Sequence, residues 1–271
     1  NSINWGRLVP QIVYYVSAYC DLANQGEIAL GEPVNFCVPT GNFGNILAAY
    51  YAKRMGLPVG KLLCASNRNN VLTDFIHTGR YDRNRPFYAT SSPSMDILIS
   101  SNLERLLYHL SGEDAALVSQ LMRGLAEEGC YALPETMHAA LQAEFYGAFC
   151  DEAGTEETIR RTFAEYSYLC DPHTAVALSA ARQYQEETGD RTKLVVVSTA
   201  SPYKFAPSVL AALEAPAYSD DDFQRLELLE KISGTPIPRP LAALKDAQAR
   251  FDAVCAPGEM PAMVREFLRR D

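Results

Sequence analysis

Apolar positions recur along this chain in two rhythms, and each predicts a different kind of element. Near the start, "NSINWGRLVPQIVYYV" sets Leu8, Val9, Ile12, Val13 and Val16 at helical spacing, which predicts one amphipathic helix over residues 5–24. Short unbroken apolar runs follow at residues 34–38, 61–66 and 193–198 ("VNFCV", "KLLCAS", "KLVVVS") and read as buried strands. Helical patterns over 46–55 and 71–77 follow the first two runs. Strand, helix, strand at this spacing is the pattern of a parallel sheet with crossover helices. A fourth strand is expected at "PFYAT", residues 86–90, inside a polar stretch over 78–96 that otherwise reads as a long loop. Residues 97–168 are mostly of helical period, as is everything after 219, with a proline-rich break at "GTPIPRP". The expected organisation is a helix-rich α/β core over 1–218, with a helical insertion near 97–168, then a helical segment over 219–271. The helix pattern is already under way at Asn1, which points to a piece of a longer protein.

Charge and cysteine usage narrow the function classes. The 271 residues carry 24 Lys and Arg against 33 Asp and Glu, a formal charge of −9, which argues against broad contact with a nucleic-acid backbone. The acidic run "SDDDF" reads as a solvated loop and helix start. No apolar run approaches membrane-spanning length. Seven cysteines without a CxxC pair read as reduced, buried thiols of a cytoplasmic protein, and their spacing argues against zinc; no metal site is expected.

Three stretches carry chemistry. In "VPTGNFGN" a buried strand passes through glycines and asparagines straight into a helix. Gly41 and Gly44 can take positive φ, and successive amides with the helix N-terminus then make an anion site that needs no lysine. Asn42 and Asn45 are candidates to cap the helix and to donate to phosphate oxygens. The GxxG spacing matches neither the dinucleotide fingerprint nor the Walker loop. In "VVVSTASPYKF" a strand expected to be central in the sheet ends in Ser198 and Thr199 before Ser201-Pro202 opens a helix, so both hydroxyls stand at the sheet edge where α/β proteins bind ligands. In "CDPHTAVA" Asp171 is a good N-cap and Pro172 a good first helical residue, which puts His173 at a helix N-terminus.

With "NSINWGRLVPQIVYY" and "TSSPSMDILISSNLERL", these stretches resemble, in this order, the threonine synthases, a family of pyridoxal 5′-phosphate (PLP) enzymes of fold type II. The likeness runs from Asn1 to about Leu213 and is looser beyond. It implies an open, mostly parallel sheet, incomplete at its N-terminal side, and conversion of O-phospho-L-homoserine and water to L-threonine and phosphate. It implies that Gly41, Asn42, Phe43, Gly44 and Asn45 hold the cofactor phosphate, that Thr199, ahead of Ser198, faces the ring nitrogen, and that Arg7, Ser92, Ser94 and His173 lie near the substrate. The family's Schiff-base lysine stands in a Phe-Lys-Asp context, which none of the six lysines here has, so this chain alone is expected to be inactive. The alternatives are a non-catalytic phosphate- or PLP-binding relative and another fold-type II lyase. Whether the protein is a monomer or a homodimer is left open.

Overall fold

Pro10 divides the first predicted helix. Its missing N–H removes a rung of the ladder, and the chain runs as α1 (Trp5–Leu8), a 3-10 turn (Val9–Gln11) and α2 (Ile12–Asn24). The computed structural model describes residues 4–216, 220–248 and 251–269. The buried face is not the predicted one: Leu8, Tyr15 and Tyr19 are buried, whereas Val9, Val13 and Val16 are exposed. The two tyrosines, one helical turn apart, put their rings into the core and find acceptors for their hydroxyls on Asn45 and on the Glu32 carbonyl.

The predicted alternation follows, with β1 (Val34–Pro39), α3 (Gly44–Arg54), β2 (Val59–Ser66) and α4 (Val71–Thr78). Next come β3 (Arg80–Asp82), α5 (Leu103–Leu110), α6 (Ala115–Glu127), β4 (Cys130–Ala132), α7 (Glu135–Glu144) and β5 (Phe145–Phe149). The chain continues through α8 (Glu152–Tyr166), α9 (Pro172–Thr188), β6 (Leu194–Val196), α10 (Ala206–Ala212), α11 (Asp222–Ser233), α12 (Arg239–Ala242) and α13 (Met260–Phe267). The stretch "PFYAT" is not a strand. Its backbone is satisfied by side chains instead: Asn69 brackets Tyr88 at 2.8 and 2.9 Å, and Asp96 accepts from the Thr90 amide at 2.9 Å. The fourth strand is β5, inside the stretch expected to be a helical insertion. Gly147 lets it lie close to α4, where a Cβ would stand 3.0 Å from Thr73 Cα.

The main sheet has the order β5-β2-β1-β6 with every pairing parallel, and β3 and β4 form a separate antiparallel pair. Alternate residues serve opposite faces. Phe36, Val38, Leu62 and Cys64 join the core shared with the helices from α2 to α7, while Cys37, Leu63 and Ala65 pack on α9 residues Val176, Ala177 and Ala180. Helices on both faces make this a helix-rich α/β fold around a parallel sheet. Among the described residues β6 is an end strand and only half-buried, not the central strand expected.

The chain forms two compact units, Asn1–Thr235 and Pro236–Asp271. The expected division at 218/219 lies outside the described residues; α11, beyond it, packs on α10 within the first unit. All seven cysteines are free thiols, but they are not all buried: Cys20 is exposed on α2, and Cys130 and Cys255 are half-buried. Burial pushes the Cys64 thiol up to about 12. Among the described residues no helix is long and apolar enough to cross a membrane, and no group of three or more His, Cys, Asp or Glu is placed to hold a metal.

Candidate functional site

Since β1 and β6 are parallel neighbours, with Cys37 opposite Val196, their carboxyl ends open on one edge of the sheet. From β1 the chain passes Thr40 to Phe43 and enters α3 at Gly44. Two peptide planes in this loop are fixed from behind. Ser100 Oγ donates to Gly41 O at 2.8 Å, and the Asn102 amide and Nδ2 donate to Asn42 O at 3.1 and 2.9 Å. In a trans peptide the N–H points opposite to the preceding C=O, so the amides of Asn42 and Phe43 turn away from residues 100–102. The first bond within α3 comes from Leu47 N, to Phe43 O at 3.1 Å. The amides of Gly44, Asn45 and Ile46 precede it, and no side chain caps the helix. Together with the helix dipole, these donors can hold an anion.

Two details differ from expectation. The left-handed residue is Phe43, at φ 63°, and neither Gly41 nor Gly44 has positive φ. The Phe43 ring is buried with its centroid 5.6 Å from that of Phe145, and that packing holds the strained backbone. Gly41 is needed for closeness, since a Cβ there would stand 2.6 Å from the Ser94 carbonyl oxygen. Nor do the asparagines cap α3. Asn42 Oδ1 accepts from Ser101 at 3.3 Å, and Asn45 Oδ1 accepts from Tyr15 at 2.8 Å, leaving the Asn45 Nδ2 donors for the cleft.

A second N-terminus, that of α9, meets the same edge. Asp171 caps it as predicted, its Oδ1 accepting from both the His173 amide and Nδ1 at 2.9 Å. Thr174 Oγ1 donates to Asp171 Oδ2 at 2.5 Å and approaches Ser198 Oγ at 3.1 Å. An ionised Asp171 only accepts, so His173 carries its proton on Nδ1. His173 Nε2 is then the free end, and this atom is buried with no hydrogen-bond partner among the described residues. Ser201 caps the turn after β6, with Pro202 at its first position, as predicted.

These groups surround a cleft of about 370 Å³, lined by Arg7, Gln11, residues 39–45, Ser94, Met95, His173, Thr199, Ala200 and Lys204. Its size falls in the range of small-molecule sites. Of the candidates from the sequence, Arg7, the five loop residues, Ser94, His173 and Thr199 meet here. Phe43 contributes backbone alone, its ring being in the core. Ser92 does not line the cleft; it is fully buried and accepts from Asn67 Nδ2 at 3.0 Å, bracing the loop that carries Ser94. Sequence reasoning passed over Thr40 and Gln11, and discounted Lys204. Thr40 was signalled by its place directly after a buried strand. Among the described residues no carboxylate lines the cleft, although the chain carries a charge of −9. Another hollow, of about 450 Å³ in the C-terminal unit, is apolar apart from Asp252 and Glu266 and gathers no such donors.

The donor set suits the phosphorylated cofactor that the sequence implies. The free backbone amides are of the kind that can cradle a phosphate, a hydroxyl such as that of Thr199 can pair with a ring nitrogen, and His173 Nε2 is buried with no partner among the described residues. Comparisons with known proteins lead the same way. Residues 174–267 match the family model "Threonine synthase, C-terminal". Human threonine synthase-like 1 is 46% identical over 237 residues, 87% of this chain and 32% of that protein. The crystal structure of PLP-bound threonine synthase from Brucella melitensis superposes with a TM-score of 0.74 at 40% identity, covering 85% of this chain and 47% of that one. Threonine synthase from yeast superposes with a TM-score of 0.84 at 32% identity, covering 100% of this chain and 54% of that one. The chain thus spans about a third of the human relative and about half of each solved structure. Over the length it shares with them, the chain belongs to the threonine synthase family of fold-type II PLP enzymes.

Proposed function

We propose that the cleft binds PLP and serves the threonine synthase reaction, in which O-phospho-L-homoserine and water become L-threonine and phosphate. The observation that carries this reading is the meeting of the Gly41–Asn45 amides with Thr199 in one cleft, from segments far apart in sequence. The amides of Asn42 to Asn45 hold the cofactor phosphate. Thr199 offers the ring nitrogen a neutral hydroxyl, which orients the ring without fixing a proton on it as a carboxylate would. When bound, the cofactor supplies the electron sink that the protein lacks. Arg7 and Lys204 bring positive charge to an anionic substrate, and His173 Nε2 holds or releases a proton facing it, while Asp171 keeps the imidazole in one tautomer. Lys204 is the one lysine on this cleft among the described residues.

A second reading, a PLP- or phosphate-binding relative without synthase activity, draws on the higher identity to a protein named threonine synthase-like 1 than to the two solved synthases. Binding and turnover separate the readings. Pyridoxine 5′-phosphate, which lacks the aldehyde, is expected to bind saturably at one site, and Gly41→Ala to weaken it roughly tenfold or more by crowding the loop. Absence of saturable binding sinks the cofactor assignment. Turnover is measured on the chain supplied with a segment that carries the Phe-Lys-Asp lysine, since the chain alone is expected to release no phosphate under either reading. Release from O-phospho-L-homoserine in the presence of PLP then favours the synthase, and binding without release favours the second reading.

A further inference from the structure

The glycine-loop cup draws on two kinds of donor. Its backbone amides are aimed from behind by Ser100 and Asn102. The Asn45 side chain is different, because its amide carries donors on one atom and an acceptor on the other. Turned by half a revolution it would show the cleft an oxygen, which repels a phosphoryl oxygen where a nitrogen attracts it. The group that settles the orientation stands on α2. Tyr15 Oη lies 2.8 Å from Asn45 Oδ1 and 3.0 Å from the Asn45 carbonyl oxygen. That carbonyl belongs to α3, whose ladder supplies it with a donor, so the single phenolic proton goes to Oδ1. With Oδ1 taken, the Nδ2 donors have no acceptor among the described residues, and Asn45 lines the cleft. Tyr15 is itself held in place. It is only 1% exposed, with its ring edge-on to that of Phe36 on β1 at a centroid distance of 5.1 Å. Burial pushes its phenol above the ordinary value, so the hydroxyl keeps its proton through the neutral range. A phenylalanine would fill the same space; the hydroxyl adds the contacts with Asn45 and, among the described residues, no others.

We infer that Tyr15 is a positioning residue for the cup: by occupying Asn45 Oδ1 it turns the Asn45 Nδ2 donors towards the bound phosphate. This rests on reading the glycine loop as the cofactor-phosphate cup. Tyr15 never touches the ligand and acts through Asn45 alone. Its effect is on selectivity as well as strength. With Oδ1 withdrawn, Asn45 meets the ligand as a donor only, which suits an oxyanion that accepts at every oxygen, such as an ionised phosphate or a sulfate. The amide is set before the ligand arrives, so no part of the binding is spent on turning it.

The test uses the 271-residue chain labelled with 15N-asparagine, with the Asn45 side-chain signals assigned by their loss in Asn45→Ala. Pyridoxine 5′-phosphate and, separately, sulfate are titrated. The expected result is a saturable movement of the Asn45 Nδ2 signals with both ligands. Tyr15→Phe keeps the ring and removes the hydroxyl, and is expected to weaken both ligands roughly fivefold, the size of one neutral hydrogen bond. Asn45→Ala is expected to weaken them roughly tenfold or more, the size of one charge-assisted contact. The two changes form a cycle: in the Asn45→Ala background, Tyr15→Phe should alter binding by less than about twofold. An equal loss from Tyr15→Phe in both backgrounds means that the hydroxyl acts through the fold at large, and the inference falls. If pyridoxine 5′-phosphate binds without moving the Asn45 signals, the inference falls while the cofactor reading stands. If sulfate moves them and shows the cycle but pyridoxine 5′-phosphate fails to bind, the inference survives and the cofactor reading falls. If neither ligand binds, both fall.

Discussion

Phe43 occupies a backbone conformation that costs an L side chain about 1–2 kcal/mol, at φ 63°, and the burial of its ring helps to hold it there. Truncating the ring removes that compensation. Phe43→Ala is expected to lose about 3–5 kcal/mol, while Phe43→Gly, which tolerates the same φ, should be about 1 kcal/mol more stable than the alanine variant despite being smaller. Urea denaturation of the pair reads this directly, and an alanine variant at least as stable as the glycine one would show that the left-handed residue is not held in solution. This is a point where the sequence misled. Two glycines flank the phenylalanine and invite assignment of positive φ to one of them, yet Gly41 is spent on close approach to Ser94 and Gly44 on the first turn of α3. The composition of the loop was legible; which residue carried the strain depended on Phe145, a hundred positions away.

Elements meet through Asp190. Its carboxylate accepts from Tyr184 on α9 at 2.5 Å, from Asn35 on β1 at 2.8 Å and from the Thr192 amide ahead of β6 at 2.9 Å. Those bonds, Tyr184 first, hold the carboxyl below the usual carboxylate range, while burial and the bond to Asp190 push the Tyr184 phenol up to about 12. A depressed folded-state value means that the contribution is whole above the unfolded carboxylate range and is lost as pH falls through the folded value. Asp190→Asn should therefore cost about 1–3 kcal/mol at neutral pH, with a gap to the parent that narrows towards about pH 3 and below, where the parent also begins to protonate. A gap in urea midpoints that stays constant with pH refutes the linkage. At this scale the sequence announced β1, α3, β2, α4 and α9, because long or fully buried elements have strong periods. It hid β5, because "FYGAF" continues the helical rhythm of α7 and only its pairing with β2 makes it a strand. It placed β6 in the middle of the sheet because an apolar run does not say how many neighbours a strand has.

For the molecule as a whole, the half-buried β6 ends the sheet among the described residues, and Val9, Val13, Tyr14 and Val16 are exposed on the first helices. An end strand and a run of exposed apolar side chains both favour contact with another chain. Light scattering after size exclusion should find a mass that rises with concentration, and Val13→Lys should return it towards the monomer; a monomer at every concentration removes this surface from consideration. The anion cup, too, belongs to the whole rather than to a peptide. Its amides face the cleft because Ser100 and Asn102, up to 60 positions away, hold the opposite ends of the same peptide units. The six letters "TGNFGN" are therefore not a portable cartridge. Grafted onto another strand–helix junction they would keep their spelling and lose their aim, and inserting a single residue between Asp96 and Ser100 could silence the cup while leaving every letter of it intact.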